Sequence, residues 1–432
     1  MLADSARAST RSLLSTTRPT AAVDPLELFA QSTEHDRALW LRPSSDEAMV
    51  GLGVAYEIKI DGAGDRFAAA TRAWQALLEE ATIDDPARLL WTGPLLMGGF
   101  RFDAAREPTA LWSDFASDRL VLPAQVYVQR GRTAWLVTNE VVGGTASIVR
   151  QPRLSDAECG LQPEAWQSLV DSVARGIRHN DLGLDKVVLA RTHTVEAAEQ
   201  FVPAAVLRRL ARAYPTCTVF GLGHGEATFV GATPERLVSV CAGLATTMAL
   251  AGSAPRGRSD AEDRSLGEAL LGDPKERSEH DFVVQALRAG LAEVSSRVIA
   301  DAEPRLRKLP NLQHLLTPVH GRLAPGCGIL DVVQRLHPSP AVGGVPREPA
   351  LALIREREAL DRGWYGGPIG WLNRSGEGEF VVGIRSALLR GCEATLFAGC
   401  GIVADSVPST EMAESTWKLR PMLSALGVTD GA

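Results

Sequence analysis

From Lys186 to Gly252 the chain is a succession of short apolar runs, most of them closed by a glycine-bearing turn: "KVVLART", "CTVFGLG", "ATFVGATP", "RLVSV" and "LATTMALAG". Short runs joined by tight turns pair as hairpins, and hairpins build antiparallel sheet. The runs "GPIGWLN", "EFVVGIRSALL" and "ATLFAGCGIV" repeat the pattern further on. Helical periodicity appears near Ala68–Ala81, Glu164–Asn180 and Pro203–Tyr214, from Pro274 to about Ile299, and again from near Pro408. Pro274 suits a first helical turn. The expected fold class is α+β, with large antiparallel β-sheets packed as a sandwich and helices outside.

Residues 1–23 are rich in Ser, Thr, Ala and Arg and poor in acids, and are expected to form a disordered tail rather than a transit peptide. From residue 24 to 432 no long linker and no fixed repeat interrupts the pattern, so a single domain is expected, with an N-terminal portion at 24–150 and a second portion at 163–428. The 45 Lys and Arg against 52 Asp and Glu give a net charge of −7. That balance excludes a broad basic surface for nucleic acid or an anionic membrane, and any attraction for an anion must be local. No apolar run approaches the roughly 18 residues that cross a bilayer. The six cysteines show neither disulfide nor zinc spacing, which fits a reducing, cytoplasmic setting. No exposed apolar helix stands out, so a monomer is expected.

Several residues carry candidate chemistry. Glu276 and Glu279, and likewise Glu411 and Glu414, stand three apart on expected helices and share a face. Two such pairs are either solvated surface or the oxygen shell of a hard cation such as Mg²⁺. Strand alternation puts Lys186, Val188 and Ala190 on one face, which carries an ammonium either toward a buried surface or out to water at the strand end. Glu235, in "GATPERL", either pairs with Arg236 in a surface turn or points into a cleft as a general acid. Arg385 interrupts an apolar strand, and Tyr365 lies in "GWYGGPIG". Small residues at Gly252, Ser253, Gly399 and Gly401 would let backbone N–H groups approach an anion. His314, in an apolar stretch, reads as a core histidine.

These oddities occur in an order that resembles one family. From about Pro163 to Leu426 the chain is similar to the chorismate-utilising enzymes, which include isochorismate synthase, salicylate synthase, anthranilate synthase component I and aminodeoxychorismate synthase component I. The resemblance rests on "KVVLAR", "FVGATPERL", "ALAGSAPRG", "DPKERSEHDFVV", "LQHLLTPVHGRL", "LHPSPAVGGVPRE", "RGWYGGPIGWLN", "FVVGIRSALL" and "FAGCGIVADSVPSTEMAESTWKL". Before about residue 150 the likeness is loose, and "GGFRFD" is its best piece. A lysine at 186 and an alanine at 341 look most like isochorismate synthase, with salicylate synthase and a non-catalytic chorismate- or partner-binding protein as the alternatives.

The resemblance implies an anthranilate synthase component I-like fold and an Mg²⁺-dependent, reversible isomerisation of chorismate to isochorismate, feeding menaquinone or siderophore biosynthesis. It makes Lys186 the base that activates water for attack at C2 and Glu235 the acid that protonates the hydroxyl leaving C4. It gives the metal to Glu279 and Glu414 directly and to Glu276 and Glu411 through water. Arg385 and Tyr365 would hold the enolpyruvyl carboxylate, with Gly252, Ser253, Gly399, Gly401 and Lys418 completing the cradle. His314 matches the family histidine linked to pyruvate elimination in other members. Three departures, Ser415, Ser339 and Cys400, exchange one small residue for another.

Overall fold

The structure, a computed structural model, describes residues 11–62, 64–143, 160–308 and 312–428. It consists of a twelve-stranded and a ten-stranded sheet with helices packed outside them, which is the α+β arrangement expected. Strand β1 (Ser12–Thr20) pairs with Thr133–Val142 and Thr82–Asp84 near one end of the larger sheet. The expected tail at 1–23 is therefore corrected for its described part; residues 1–10 lie outside the described residues. Alternation in β1 buries Leu13, Ser15 and Thr17. The two buried hydroxyls are satisfied, by Asn139 Oδ1 at 2.8 Å and Gly93 N at 3.1 Å.

Eight further strands matter for the cleft. In chain order they are β2 (Lys186–Glu196), β3 (Ala227–Thr233), β4 (Arg236–Cys241), β5 (Leu244–Pro255) and β6 (Leu312–Leu323). They are followed by β7 (Gly378–Val382), β8 (Ser386–Arg390) and β9 (Glu393–Ile402). Strands β2, β3, β8 and β9 belong to the larger sheet, and β4, β5, β6 and β7 to the smaller. Large side chains from both sheets, among them Trp40, Phe220, Phe229, Trp371 and Phe397, fill the core between them with Trp112 and Trp364 from the connecting segments.

The chain crosses between sheets twice at one place. Pro234 and Glu235 carry it from β3 to β4, and Gly383 to Arg385 carry it from β7 back to β8. The crossings are bonded side by side: Val382 N donates to Glu235 O at 3.0 Å and Ala232 N to Arg385 O at 3.1 Å. Arg385 adopts φ +52°, a left-handed conformation uncommon for a side-chain-bearing residue.

Helix α1 (Pro274–Ala292) starts with Pro274 in its first turn, and Asp273 caps it by accepting from Lys275 N and Glu276 N. It ends earlier than Ile299. The segment Ser295–Ala300 is instead an edge strand on β6, in keeping with its β-branched Val298 and Ile299. Helix α2 (Pro408–Leu426) packs on β9 and closes at Gly427, whose φ of +88° suits a C-terminal cap.

Candidate active site

The crossings, the start of β2, β9, α1 and α2 surround one open cleft of about 840 Å³. Lys186, Glu235, Gly252, Ser253, Glu279, His314, Ala341, Tyr365, Arg385, Gly399, Gly401, Glu414 and Lys418 all line it. Residues brought together from positions 186 to 418 thus share a single surface. Glu276 and Glu411 lie one helical turn back from Glu279 and Glu414.

Lys186 opens β2 and is buried, with 8% of its surface exposed. Its Nζ donates to Glu279 Oε1 at 2.6 Å. The antiparallel register sets Val188 against Gly401 and Ala190 against Gly399, so the two glycines lie on the cleft side of β9. A Cβ at Gly401 would come within 2.6 Å of Lys186 Cε, and one at Gly399 within 3.2 Å of the Tyr365 hydroxyl. The glycines are spaces cut for these two side chains.

Burial raises the Glu235 carboxyl to about 7, against the pull of Arg385, Lys186 and Lys418. It therefore holds a proton near neutrality, as a general acid requires. Burial also pushes the Tyr365 phenol up, so it stays a neutral hydroxyl. Its ring stacks on Phe397 at 5.2 Å between centroids.

Gly252, at φ +75°, forms a bulge in β5 that shifts the register against β6 from Ala251–Leu315 to Ser253–His314. The bulge turns Ser253 N onto Glu276 Oε2 at 3.0 Å and sets Ser253 Oγ 2.8 Å from His314 Nδ1. Burial, then Arg385 and Lys418, lower His314 to about 3, so its ring is neutral. Its Nε2 is buried without a partner among the described residues.

His280 pins α1 to the smaller sheet. Its Nδ1 lies 3.1 Å from Ala251 O and its Nε2 2.8 Å from Thr317 Oγ1. A carbonyl can only accept, so Nδ1 carries the proton and Nε2 accepts from the threonine hydroxyl. This fixes the rotation of the helix that presents Glu276 and Glu279.

The four carboxylates form two crowded pairs. Burial raises Glu276, and Glu279 adds to the effect; burial raises Glu411, and Glu414 adds to it. Lys186 balances Glu279, and Lys418, at 2.5 Å, balances Glu414. Ligand atoms of Glu411, Glu414 and Cys400 lie within 4.8 Å of one another. Burial pushes the Cys400 thiol up to about 12, and it donates to Glu411 O, which leaves oxygen as the available donor. Hard oxygen donors of excess negative charge fit a hard divalent cation.

Sequence reasoning missed the buried pair Glu358 and Arg362, whose side chains meet at 2.6 Å. Arg362 lines the cleft and donates to Val188 O and Val342 O, while Glu358 accepts from Ala190 N. The pair ties β2 to the segment bearing Ala341. Its only signal is an i, i+4 acid and base, hidden in the charge-dense stretch "REREALDR", of which only Arg362 falls in the motif carrying the glycines and tyrosine.

A proton-holding carboxyl, a buried lysine and the carboxylates Glu279 and Glu414 in one cleft, at the junction of two antiparallel sheets, define an acid–base enzyme for a small molecule. A family model described as chorismate binding enzyme matches residues 1–153 and 148–427. The chain belongs to this family. It is 37% identical to the salicylate biosynthesis isochorismate synthase of Pseudomonas aeruginosa, over 95% of this chain and 89% of the relative. It is 34% identical to isochorismate synthase MenF of Bacillus subtilis, over 96% and 93%. Among solved structures, the menaquinone-specific isochorismate synthase MenF of Escherichia coli matches with TM-score 0.80 at 25% identity, covering 97% of this chain and 95% of that one.

Proposed function

We propose that this protein is an isochorismate synthase that interconverts chorismate and isochorismate. The observation that carries the reading is Glu235, held protonated to about pH 7 in the cleft that Lys186 enters. Lys186, in its neutral form, takes a proton from the water that attacks C2 of the ring. Glu235 gives its proton to the hydroxyl that leaves C4, and the ring double bonds shift between the two carbons. Afterwards Lys186 holds a proton and Glu235 lacks one, which is the starting state of the reverse reaction.

Arg385 and Tyr365 bind and orient the enolpyruvyl carboxylate, Arg385 as a charged fork and Tyr365 as a neutral donor. Backbone N–H groups near Gly252 and Gly399 to Gly401, with Lys418, complete the cradle. Ala341 leaves room at the wall nearest the tie made by Arg362. Mg²⁺, held by Glu279 and Glu414 and through water by Glu276 and Glu411, would supply the positive charge for the ring carboxylate. The protein acts as a cytoplasmic monomer of one domain that includes the strand Ser12–Thr20, and its product serves menaquinone or siderophore assembly.

Incubating the purified protein with chorismate and Mg²⁺ and separating the products by chromatography tests this reading. Isochorismate is expected. Salicylate fluorescence without an added enzyme would instead establish a salicylate synthase, and no turnover would leave a binding protein.

A further inference from the structure

The guanidinium of Arg191 has no part in the chemistry above, yet it is buried and no carboxylate pairs with it among the described residues. Alternation along β2 turns Lys186 to the cleft and Arg191 to the opposite face, beneath α2. There Arg191 Nε donates to Ser415 Oγ at 2.7 Å and Nη2 to Thr416 Oγ1 at 2.9 Å. These residues directly follow Glu414. Both hydroxyls donate onward to one carbonyl, Met412 O, at 2.8 and 2.9 Å.

Each hydroxyl thus has its proton committed to Met412 and its lone pair to Arg191, so neither can rotate without losing two bonds. The turn between Glu411 and Glu414 is fastened from below at Met412, Ser415 and Thr416. Cys400 of β9 fastens the preceding turn, donating to Glu411 O at 3.3 Å. Burying an unpaired guanidinium is costly, and hydroxyl partners recover less than a carboxylate would. A carboxylate in their place would add a fifth acid beside a set that already repels itself.

We propose that Arg191 is a positioning residue for the cation site: it locks the rotation of the α2 turn so that Glu411 and Glu414 present their oxygens together. The inference rests on the reading of these carboxylates as metal ligands. It is tested without substrate, by titrating the full-length protein with Mn²⁺ and following free Mn²⁺ by electron paramagnetic resonance.

Arg191→Met is expected to weaken Mn²⁺ binding ~10-fold or more, in the range found for residues that orient metal ligands. Arg191→Lys, which can reach only one hydroxyl, should fall between. In turnover the Mg²⁺ half-saturation should rise while kcat at saturating Mg²⁺ stays within about threefold of wild type. Should Arg191→Met fail to fold, Ser415→Ala and Thr416→Val remove the acceptors and keep the charge; each should weaken Mn²⁺ binding several-fold. A folded variant set with lowered thermal midpoints but unchanged Mn²⁺ affinity would overturn the inference. A wild-type protein that binds no Mn²⁺ overturns the cation reading and this inference together, whereas tight wild-type binding with no chorismate turnover overturns only the proposed reaction.

Discussion

Lys186 Nζ stands 2.6 Å from Glu279 Oε1, so the proposed base and a proposed metal ligand share one contact. Whatever engages Glu279 elsewhere loosens that contact, which makes the position of the proposed base depend on the carboxylates of α1. Chelation should therefore abolish turnover, and added Mg²⁺ should restore it. Lys186→Ala should lower kcat by roughly 10²–10⁴-fold, the usual range for loss of a general base, with Mn²⁺ binding retained. The coupled isochorismatase assay and a metal titration read the two effects separately.

Glu235 predicts a pH dependence of both rate and stability. As the acid in the forward direction it must be protonated, so kcat/KM should fall as pH rises through about 7, and Glu235→Gln should lose ~10²-fold or more and lack that limb. Folding raises this carboxyl from its ordinary 4.5, so the native state binds the extra proton between the two values. Stability from this group is present at low pH and is lost as pH rises through that window, at up to about 1.4 kcal/mol per pH unit. Thermal melts should show Glu235→Gln gaining on wild type from pH 5 to pH 8.

Gly401→Ala places a methyl 2.6 Å from Lys186 Cε and 3.1 Å from Nζ. The flexible end of a lysine can move aside, so the fold should survive with its melting midpoint almost unchanged. The displaced Lys186 should cost about 10²-fold in kcat, because a misplacement near 1 Å at a reacting group is worth that much.

Arg385 holds φ +52° between the two sheets, a conformation that costs a side-chain-bearing residue of the order of 1 kcal/mol. Arg385→Gly should relieve it and melt no lower than wild type. The same variant should raise KM for chorismate at least tenfold, since the charged fork for the enolpyruvyl carboxylate is gone. Steady-state kinetics and calorimetry on one preparation check both halves.

Residues whose environment is set by their own strand or helix were legible beforehand. Lys186 follows from strand alternation, and the pairs at 276 and 279 and at 411 and 414 from helical spacing; motif order then joined them. What escaped depends on partners far away in the chain. Strand β1 turns Ser15 and Thr17 inward, where Asn139 and Gly93 satisfy them, so its alternation is invisible to hydropathy. Helical periodicity from Pro274 overshoots the helix because Ser295–Ala300 becomes a strand only when β6 lies beside it. Glu358, Arg362 and Arg191 look like ordinary surface charges until the sheets close over them.

The cleft needs β2, the crossings near residues 234 and 385, β9 and α2 together, and β2 lies next to β9 from more than two hundred positions later. A chain growing on a ribosome thus carries the proposed base, Lys186, long before it has β9, the carboxylates of α2 or Arg385. Any chain stopped short of Glu411 lacks two of the four carboxylates proposed to hold the cation, and an interrupted product should be chemically silent rather than partly active. Turnover is a property acquired in the last stretch of synthesis.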